Sequence, residues 1–173
     1  LRALREGGVE KSLVVLGPHD AELESIVTRN ESDALVLPES TPDMRATVEA
    51  GLSWIQDRST PDESDQWFLV PADHPTIQPE VIRELLIAQQ ESKNASILIP
   101  THRGKRGHPT LLSWSHVSGI REHDPDQGIN SYIRSSSESV SEVEMTRPSV
   151  LDDLDTPEDY ERLLTEMLKG RSP

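Results

Sequence analysis

Short apolar runs that stop abruptly at glycine or proline constrain the fold of this chain more than any other feature. Ser12-Leu13-Val14-Val15-Leu16 stops at Gly17-Pro18, Ala34 to Leu37 stops at Pro38, and Trp67 to Val70 stops at Pro71. Each is too short for a helix and reads as a strand buried on both faces. Between them lie stretches with apolar residues at helical spacing. These are Leu23, Ile26 and Val27 within 20–29, Met44, Val48, Leu52 and Ile55 within 43–57, and Val81, Ile82, Leu85 and Leu86 within 79–91. The last begins with Pro79, which suits a first helical position. Further along, 96–100 and 108–112 read as strands, 127–134 as a short helix, 139–145 as an outer strand and 157–168 as a closing helix, while polar 58–66 reads as a surface loop. This alternation predicts one α/β domain, a mostly parallel sheet with helices on both faces. Leu1 to Glu6 reads as the tail of a helix stopped by Gly7-Gly8, which predicts further sequence upstream.

The length of 173 residues suits one domain with a respectable core. A formal net charge of -14 argues against a general binder of nucleic acid or acidic membrane, because phosphate backbones demand a basic footprint. It leaves room for a small phosphorylated substrate held by a local basic patch. Without cysteine there are no disulfides, thiolate metal sites or thiol nucleophiles. No stretch is long and apolar enough to span a bilayer and no signal peptide is visible, so a cytoplasmic protein is expected.

Three motifs carry chemistry. In Leu69-Val70-Pro71-Ala72-Asp73-His74-Pro75 a strand runs directly into a carboxylate, and ligands of open α/β sheets sit beyond the carboxyl ends of strands. Asp73 is too far from Pro79 to cap the next helix, whose cap falls at Gln78. His74 reads equally well as a ligand contact or as packing. The second motif is Asp153-Leu154-Asp155-Thr156-Pro157-Glu158-Asp159. Thr156 with Asp159 has capping-box spacing, which accounts for 156–159 and leaves Asp153 and Asp155 over. Magnesium takes one or two carboxylates plus substrate phosphates, so Asp73 with Asp153 or Asp155 would supply a site if their strand ends are neighbours. The third motif, Arg103-Gly104-Lys105-Arg106-Gly107-His108-Pro109, is the one dense basic cluster. It reads as a solvated hairpin tip or as an anion-binding loop, since glycines admit close backbone approach and arginine forks match phosphate oxygens. No G-x-S-x-G elbow is present, and a phosphatase-type D-x-D nucleophile would belong after the first strand.

The order of these pieces resembles the MobA/MocA-like nucleotidyltransferases, nearest to the molybdenum-cofactor cytidylyltransferase branch. The matching segments are 9–17, Met44 to Leu52 (MRATVEAGL), Leu69 to Pro75 (LVPADHP), Gly104 to Pro109 (GKRGHP), Asp126-Gln127-Gly128 and Asp153 to Tyr160 (DLDTPEDY). The resemblance implies a Rossmann-like three-layer α/β/α sandwich. It implies Mg2+ on Asp73 with Asp153 or Asp155, and a role for these carboxylates in catalysis. Met44, Arg45 and Thr47 would lie near the base or ribose, with Ala72 and His74 in the same site. Arg103, Lys105, Arg106, Gly107 and His108 would face a phosphorylated acceptor such as molybdopterin. CTP or GTP would be the donor, with a molybdoenzyme or maturation factor as a protein partner. The chain departs from the family pattern at His74, where many relatives have Gln, and at Glu49, which is often basic or polar. The family's opening Gly-rich LAAGxSxRMG loop, which cradles triphosphate, is not among these residues. On this reading the 173 residues are a single MobA-like domain lacking its first strand and phosphate loop, inactive or nearly so alone. The rival readings are a non-catalytic binding or maturation factor, and a transferase acting on a sugar phosphate or phospholactate.

Overall fold

The computed structural model describes residues 1–92 and 94–169. Seven strands and seven α-helices follow one another as α1(Arg2–Gly7), β1(Leu13–Leu16), α2(Glu24–Arg29), β2(Asp33–Val36), α3(Met44–Ser59), β3(Gln66–Leu69), α4(Pro79–Glu91), β4(Ile97–His102), β5(Lys105–Arg106), β6(Thr110–Ser113), α5(His116–Glu122), α6(Ile129–Ser135), β7(Val140–Glu144) and α7(Pro157–Lys169) among the described residues. A 3-10 turn, Pro148–Leu151, separates β7 from α7.

The α/β class expected from the sequence is observed, and the mostly parallel sheet is not. Strands β1 and β2 pair in parallel as a small sheet of their own. The larger sheet runs β3-β6-β4-β5, with β7 also on β4. There β7 is parallel to β4, but β6 is antiparallel to both β3 and β4, and β5 is antiparallel to β4. The reason lies in the connections. Only Arg103 and Gly104 separate β4 from β5, and two residues make a hairpin, whereas a parallel neighbour needs a crossover of a dozen residues or more. Both β6 and β7 pair with Ile97 and Leu98, so they occupy opposite edges of β4. By the same logic β5 shares an edge with β6, because β5 and β7 both pair with Thr101. Strands β5 and β6 are therefore one strand interrupted by Gly107-His108-Pro109.

Strand pleating then sorts the core by face. Leu98, Leu111, Phe68 and Val143 pack against Val81 and Leu85 of α4. Their neighbours Ile97, Ile99, Leu112 and Trp67 pack against Val48 of α3 and against Ile120, Ile129 and Ile133 of α5 and α6. Helices thus cover both faces of the larger sheet. Complete burial of a side chain such as Leu85, Ile97 or Leu112 is worth about 1.5–3 kcal/mol. No helix among the described residues is long and apolar enough to cross a membrane.

Candidate active site at the carboxyl end of β3

Three segments far apart in sequence converge at one end of the larger sheet. The turn after β3 carries Ala72, Asp73 and His74, the break between β5 and β6 carries Gly107 and His108, and the segment leaving the 3-10 turn carries Asp152 and Asp153. Their mutual bonds fix them. The backbone N–H of His108 donates to the carbonyl of Val150 at 2.9 Å, and that of Gly107 to Pro100 at 2.8 Å. A Cβ on Gly107 would lie 2.1 Å from the Val150 oxygen, so only glycine allows this approach. The Thr76 hydroxyl donates to Asp152 Oδ2 at 2.9 Å, tying the β3 turn to the acidic segment.

Asp73 caps no helix. Gln78 stands at the cap position of α4, with Pro79 following at the first helical position, as the sequence predicts. The Asp73 side chain is half-exposed, and its one titratable neighbour within ion-pair range among the described residues is the His74 imidazole, with Nε2 at 3.7 Å from Oδ1. The His74 side chain itself is only 9% exposed. Its ring packs on that of His108, centroids 4.7 Å apart and planes tilted by 60°. The Nδ1 atoms of both histidines are buried without a hydrogen-bond partner. Burial pushes the His108 imidazole below its ordinary pKa, the adjacent His74 adds to this, and Asp73 opposes it. His108 is therefore neutral near pH 7.

The structure divides the acidic cluster differently from its sequence reading. Asp152, which opens the acidic cluster but has no metal role in the sequence reading, accepts from Thr76 and also lies 3.4 Å from Arg162. Asp153 is half-buried and Asp155 exposed, and neither carboxylate takes part in a hydrogen bond or ion pair with the described residues. Among the described residues no three His, Asp or Glu side chains gather into a metal-binding cluster. The capping box is present as expected: Thr156 N–H donates to Asp159 Oδ2 at 3.0 Å, and Asp159 N–H to Thr156 Oγ1 at 3.2 Å. The Thr156 hydrogen bond holds the Asp159 carboxyl below its usual range.

The basic segment is a hairpin tip. Arg103 and Gly104 both have positive φ, 52° and 74°, as a two-residue hairpin turn of the primed type requires. Glu144 anchors it, with Oε2 accepting from Thr101 Oγ1 at 2.8 Å and Oε1 from Arg103 N–H at 2.7 Å. Arg106 is paired with Glu142 at 2.7 Å, which offsets part of the positive charge, while Arg103 and Lys105 stay exposed. Beside Arg106 and His108 lies a cleft of about 360 Å³ whose wall also includes Asn130 and Arg134 of α6. The sequence reading missed these two. Nothing local marks them, because α6 reaches the cleft only through its packing on the sheet. A smaller depression of about 260 Å³, lined in part by Trp114, Ser118 and Arg121, contains none of the candidate residues.

The Met44 to Thr47 segment is not part of this cluster. Met44 is exposed, and Thr47 Oγ1 hydrogen-bonds Thr41 Oγ1 at 2.5 Å and the Asp43 carbonyl at 3.2 Å. Arg45 is buried, with Nε donating to Glu49 at 2.7 Å, Nη1 to the carbonyls of Asp124 and Gln127, and Nη2 to those of Ile120 and His123. All five donors are used inside the protein. Glu49, which departs from the family pattern, is explained by this pairing.

A strand-end carboxylate free of capping duty therefore lies beside a cleft with basic walls on a mixed α/β sheet. The chain belongs to the family of the MobA-like NTP transferase domain, whose family model matches residues 1–141. Solved structures agree in fold. Rv0371c from Mycobacterium tuberculosis H37Rv, in complex with manganese, is similar with a TM-score of 0.76 and 21% identity, over 95% of this chain and 83% of that one. A nucleotidyl transferase from Methanothermobacter thermautotroptrophicus, Mth528, gives 0.75 and 19% over 98% and 79%. The CMP:2-keto-3-deoxy-manno-octonic acid synthetase complexed with CTP gives 0.70 and 15% over 98% and 85%. Comparison with curated proteins finds no match.

Proposed function

We propose that this protein is a divalent-metal-dependent nucleotidyltransferase. It would transfer a nucleotide, CMP in preference to GMP, from a nucleoside triphosphate to a phosphorylated small-molecule acceptor of the molybdopterin type, releasing pyrophosphate. The observation that carries this reading is Asp73, a half-exposed carboxylate at a strand end that caps no helix and that no Arg or Lys among the described residues pairs with. Family membership supplies the reaction class. The CTP and manganese complexes of the fold neighbours support the donor and the need for a cation.

The donor set suits a hard divalent cation. Asp73 would hold it, with Asp153 or Asp155, whose carboxylates are uncommitted, as the second contact. When bound, such an ion offsets the charge on the α-phosphate and on the departing pyrophosphate. The chain's own residues would bind and orient. Arg134, Asn130 and Arg106 line the cleft in which an anionic acceptor would sit, and Gly107 lets it approach the backbone closely. A phosphate oxygen of the acceptor would then attack the α-phosphorus in line with the leaving group, a step that needs positioning and charge neutralisation more than covalent help. The neutral imidazole of His108 keeps the cleft's inner wall free of added charge.

The test is Asp73→Asn in the full-length gene product, assayed by pyrophosphate release with CTP and with GTP in the presence of molybdopterin. Turnover is expected to fall about 10²–10³-fold, the usual cost of removing one electrostatic contact to the transition state. Unchanged turnover would overturn the assignment.

A further inference from the structure

Thr110 opens β6 and pairs in register with Leu69, the last residue of β3, a few positions before Asp73. Paired residues project to the same face of a sheet, so its side chain points with that of Leu69 toward the layer of α3, α5 and α6. There it lines the cleft of about 360 Å³ that also holds His108 and Arg134. The residue is only 3% exposed, yet its hydroxyl makes no hydrogen bond with the described residues. Nor is that oxygen enclosed by protein, as Ser149 Oγ and His108 Nδ1 are. The small area it keeps opens into the cleft. Thr101, the other buried threonine among the described residues, is satisfied by Glu144 Oε2 at 2.8 Å.

A strand gains nothing from the Thr110 hydroxyl. Valine has the same shape and β-branching, and a buried hydroxyl without a partner costs stability. A nearly buried polar group left free in a cleft is accounted for by a ligand that bonds it. The distribution of charge says which part of the ligand. Arg106 and Arg134 stand exposed at the rim, whereas Thr110 lies with Ile99 and Ile133, each 4% exposed. A phosphate on that floor would lose its water for a hydroxyl and a neutral imidazole, a poor exchange for a charged group. His108 adds no charge there: its Nδ1 is enclosed, which leaves Nε2 of a neutral ring as the nitrogen it can offer. We infer that Thr110 is a specificity-determining residue of the acceptor cleft, its hydroxyl hydrogen-bonding an uncharged oxygen or nitrogen of the acceptor while the arginines at the rim meet the acceptor's charge. The inference rests on the acceptor role proposed above for this cleft. A site that bonds a ligand group rejects analogues lacking it far more strongly than an apolar pocket rejects an added group.

The test uses the full-length gene product in the pyrophosphate-release assay with CTP and molybdopterin. Thr110→Val is expected to keep or raise the wild-type Tm, because no internal hydrogen bond is lost. It is expected to raise the KM for molybdopterin about three- to tenfold while the KM for CTP holds. Thr110→Ser retains the hydroxyl and is expected to keep the molybdopterin KM within about twofold of wild type. Inorganic phosphate is the second probe, and its inhibition against molybdopterin is expected to weaken in Arg134→Met and to be the same in Thr110→Val as in wild type. An unchanged molybdopterin KM in Thr110→Val overturns the inference. A Tm lowered by more than about 4 °C does so too, since the hydroxyl would then serve an internal bond. Weakened phosphate inhibition in Thr110→Val also overturns it, by making the hydroxyl a phosphate contact. Each of these results leaves the reaction itself standing, whereas absence of wild-type turnover with CTP and with GTP defeats the function proposed above and this inference with it.

Discussion

Arg45 lies in a segment that the family resemblance assigns to the nucleotide, but its geometry makes it a clamp. The guanidinium is delivered from the first turn of α3 to the carboxyl end of α5, where the carbonyls of the last turn have no helical partner. A cation there also complements the helix dipole. Arg45→Met keeps the apolar stem and removes five donors, leaving the carbonyls of Ile120, His123, Asp124 and Gln127 without that partner. At about 1.5–3 kcal/mol for each charged hydrogen bond a simple sum would rival the whole stability of a typical domain. That sum overcounts, because residues 121–128 are largely exposed and their carbonyls regain water, and because bonds to one group are not additive. Breaking a buried charged network costs about 3–5 kcal/mol, and we take that range. For a domain of this size it corresponds to a loss in Tm of very roughly 10 °C. Urea and thermal unfolding of Arg45→Met and Arg45→Lys check it, with lysine intermediate because one ammonium serves fewer carbonyls. An Arg45→Met protein as stable as wild type to within about 0.5 kcal/mol, but weakened for CTP, would refute the clamp and restore a ligand role.

Gly107→Ala is expected to cost about 1–3 kcal/mol, since its Cβ meets the Val150 carbonyl and must displace backbone, and Gly104→Ala about 1–2 kcal/mol, from positive φ alone in open space. Thermal unfolding of both variants, with nucleotide binding measured alongside, separates them: Gly107→Ala is expected to disturb the His108 wall and Gly104→Ala to leave it intact. Acid sensitivity follows from His116 and His108, both held below their ordinary pKa of 6.5, His116 by burial and His108 chiefly by burial. Because the folded values lie under the unfolded one, the unfolded chain takes up protons first as pH falls. Their contribution to stability is complete above pH 6.5 and is lost as pH falls toward the depressed folded values. The urea midpoint should hold steady from about pH 8 to 7 and fall once the pH drops below about 6.5, less steeply in His116→Gln. A wild-type midpoint that stays flat as the pH drops below about 6.5 would contradict this.

What the residues alone determined is whatever is decided within a turn or two of chain. Pro79 at the start of α4, Gln78 in place of Asp73 at its cap, the Thr156–Asp159 capping box and the apolar faces of α3 and α4, save for exposed Met44, depend on neighbours at most a few positions away and are in the structure. The net charge of -14 already argued against a broad nucleic-acid footprint, and the lack of cysteine removed thiol chemistry. Most element ends moved by a residue or two, but the helix expected over 20–29 opens with a 3-10 turn, Ala21–Leu23, and becomes α-helical only from Glu24, and α5 escaped notice because Ser115 to Glu122 shows little helical signature in isolation.

Tertiary structure decided everything that depends on partners distant in sequence. Strand direction is one case: β4 to His102 reads equally well in either sense until a two-residue turn folds β5 back onto it. The acidic segment is another, since Asp152, Asp153 and Asp155 are chemically alike and only the position of Thr76, 76 residues earlier than Asp152, separates them. Arg45 looked available until six acceptors were placed around it, five of them 75 to 82 residues away. His74 and His108 meet through the sheet, and their unpaired nitrogens have no trace in the string of letters. A sequence specifies which groups can donate, accept or ionise. Which of them remain uncommitted after folding is set by packing, and that is the property on which a functional site depends.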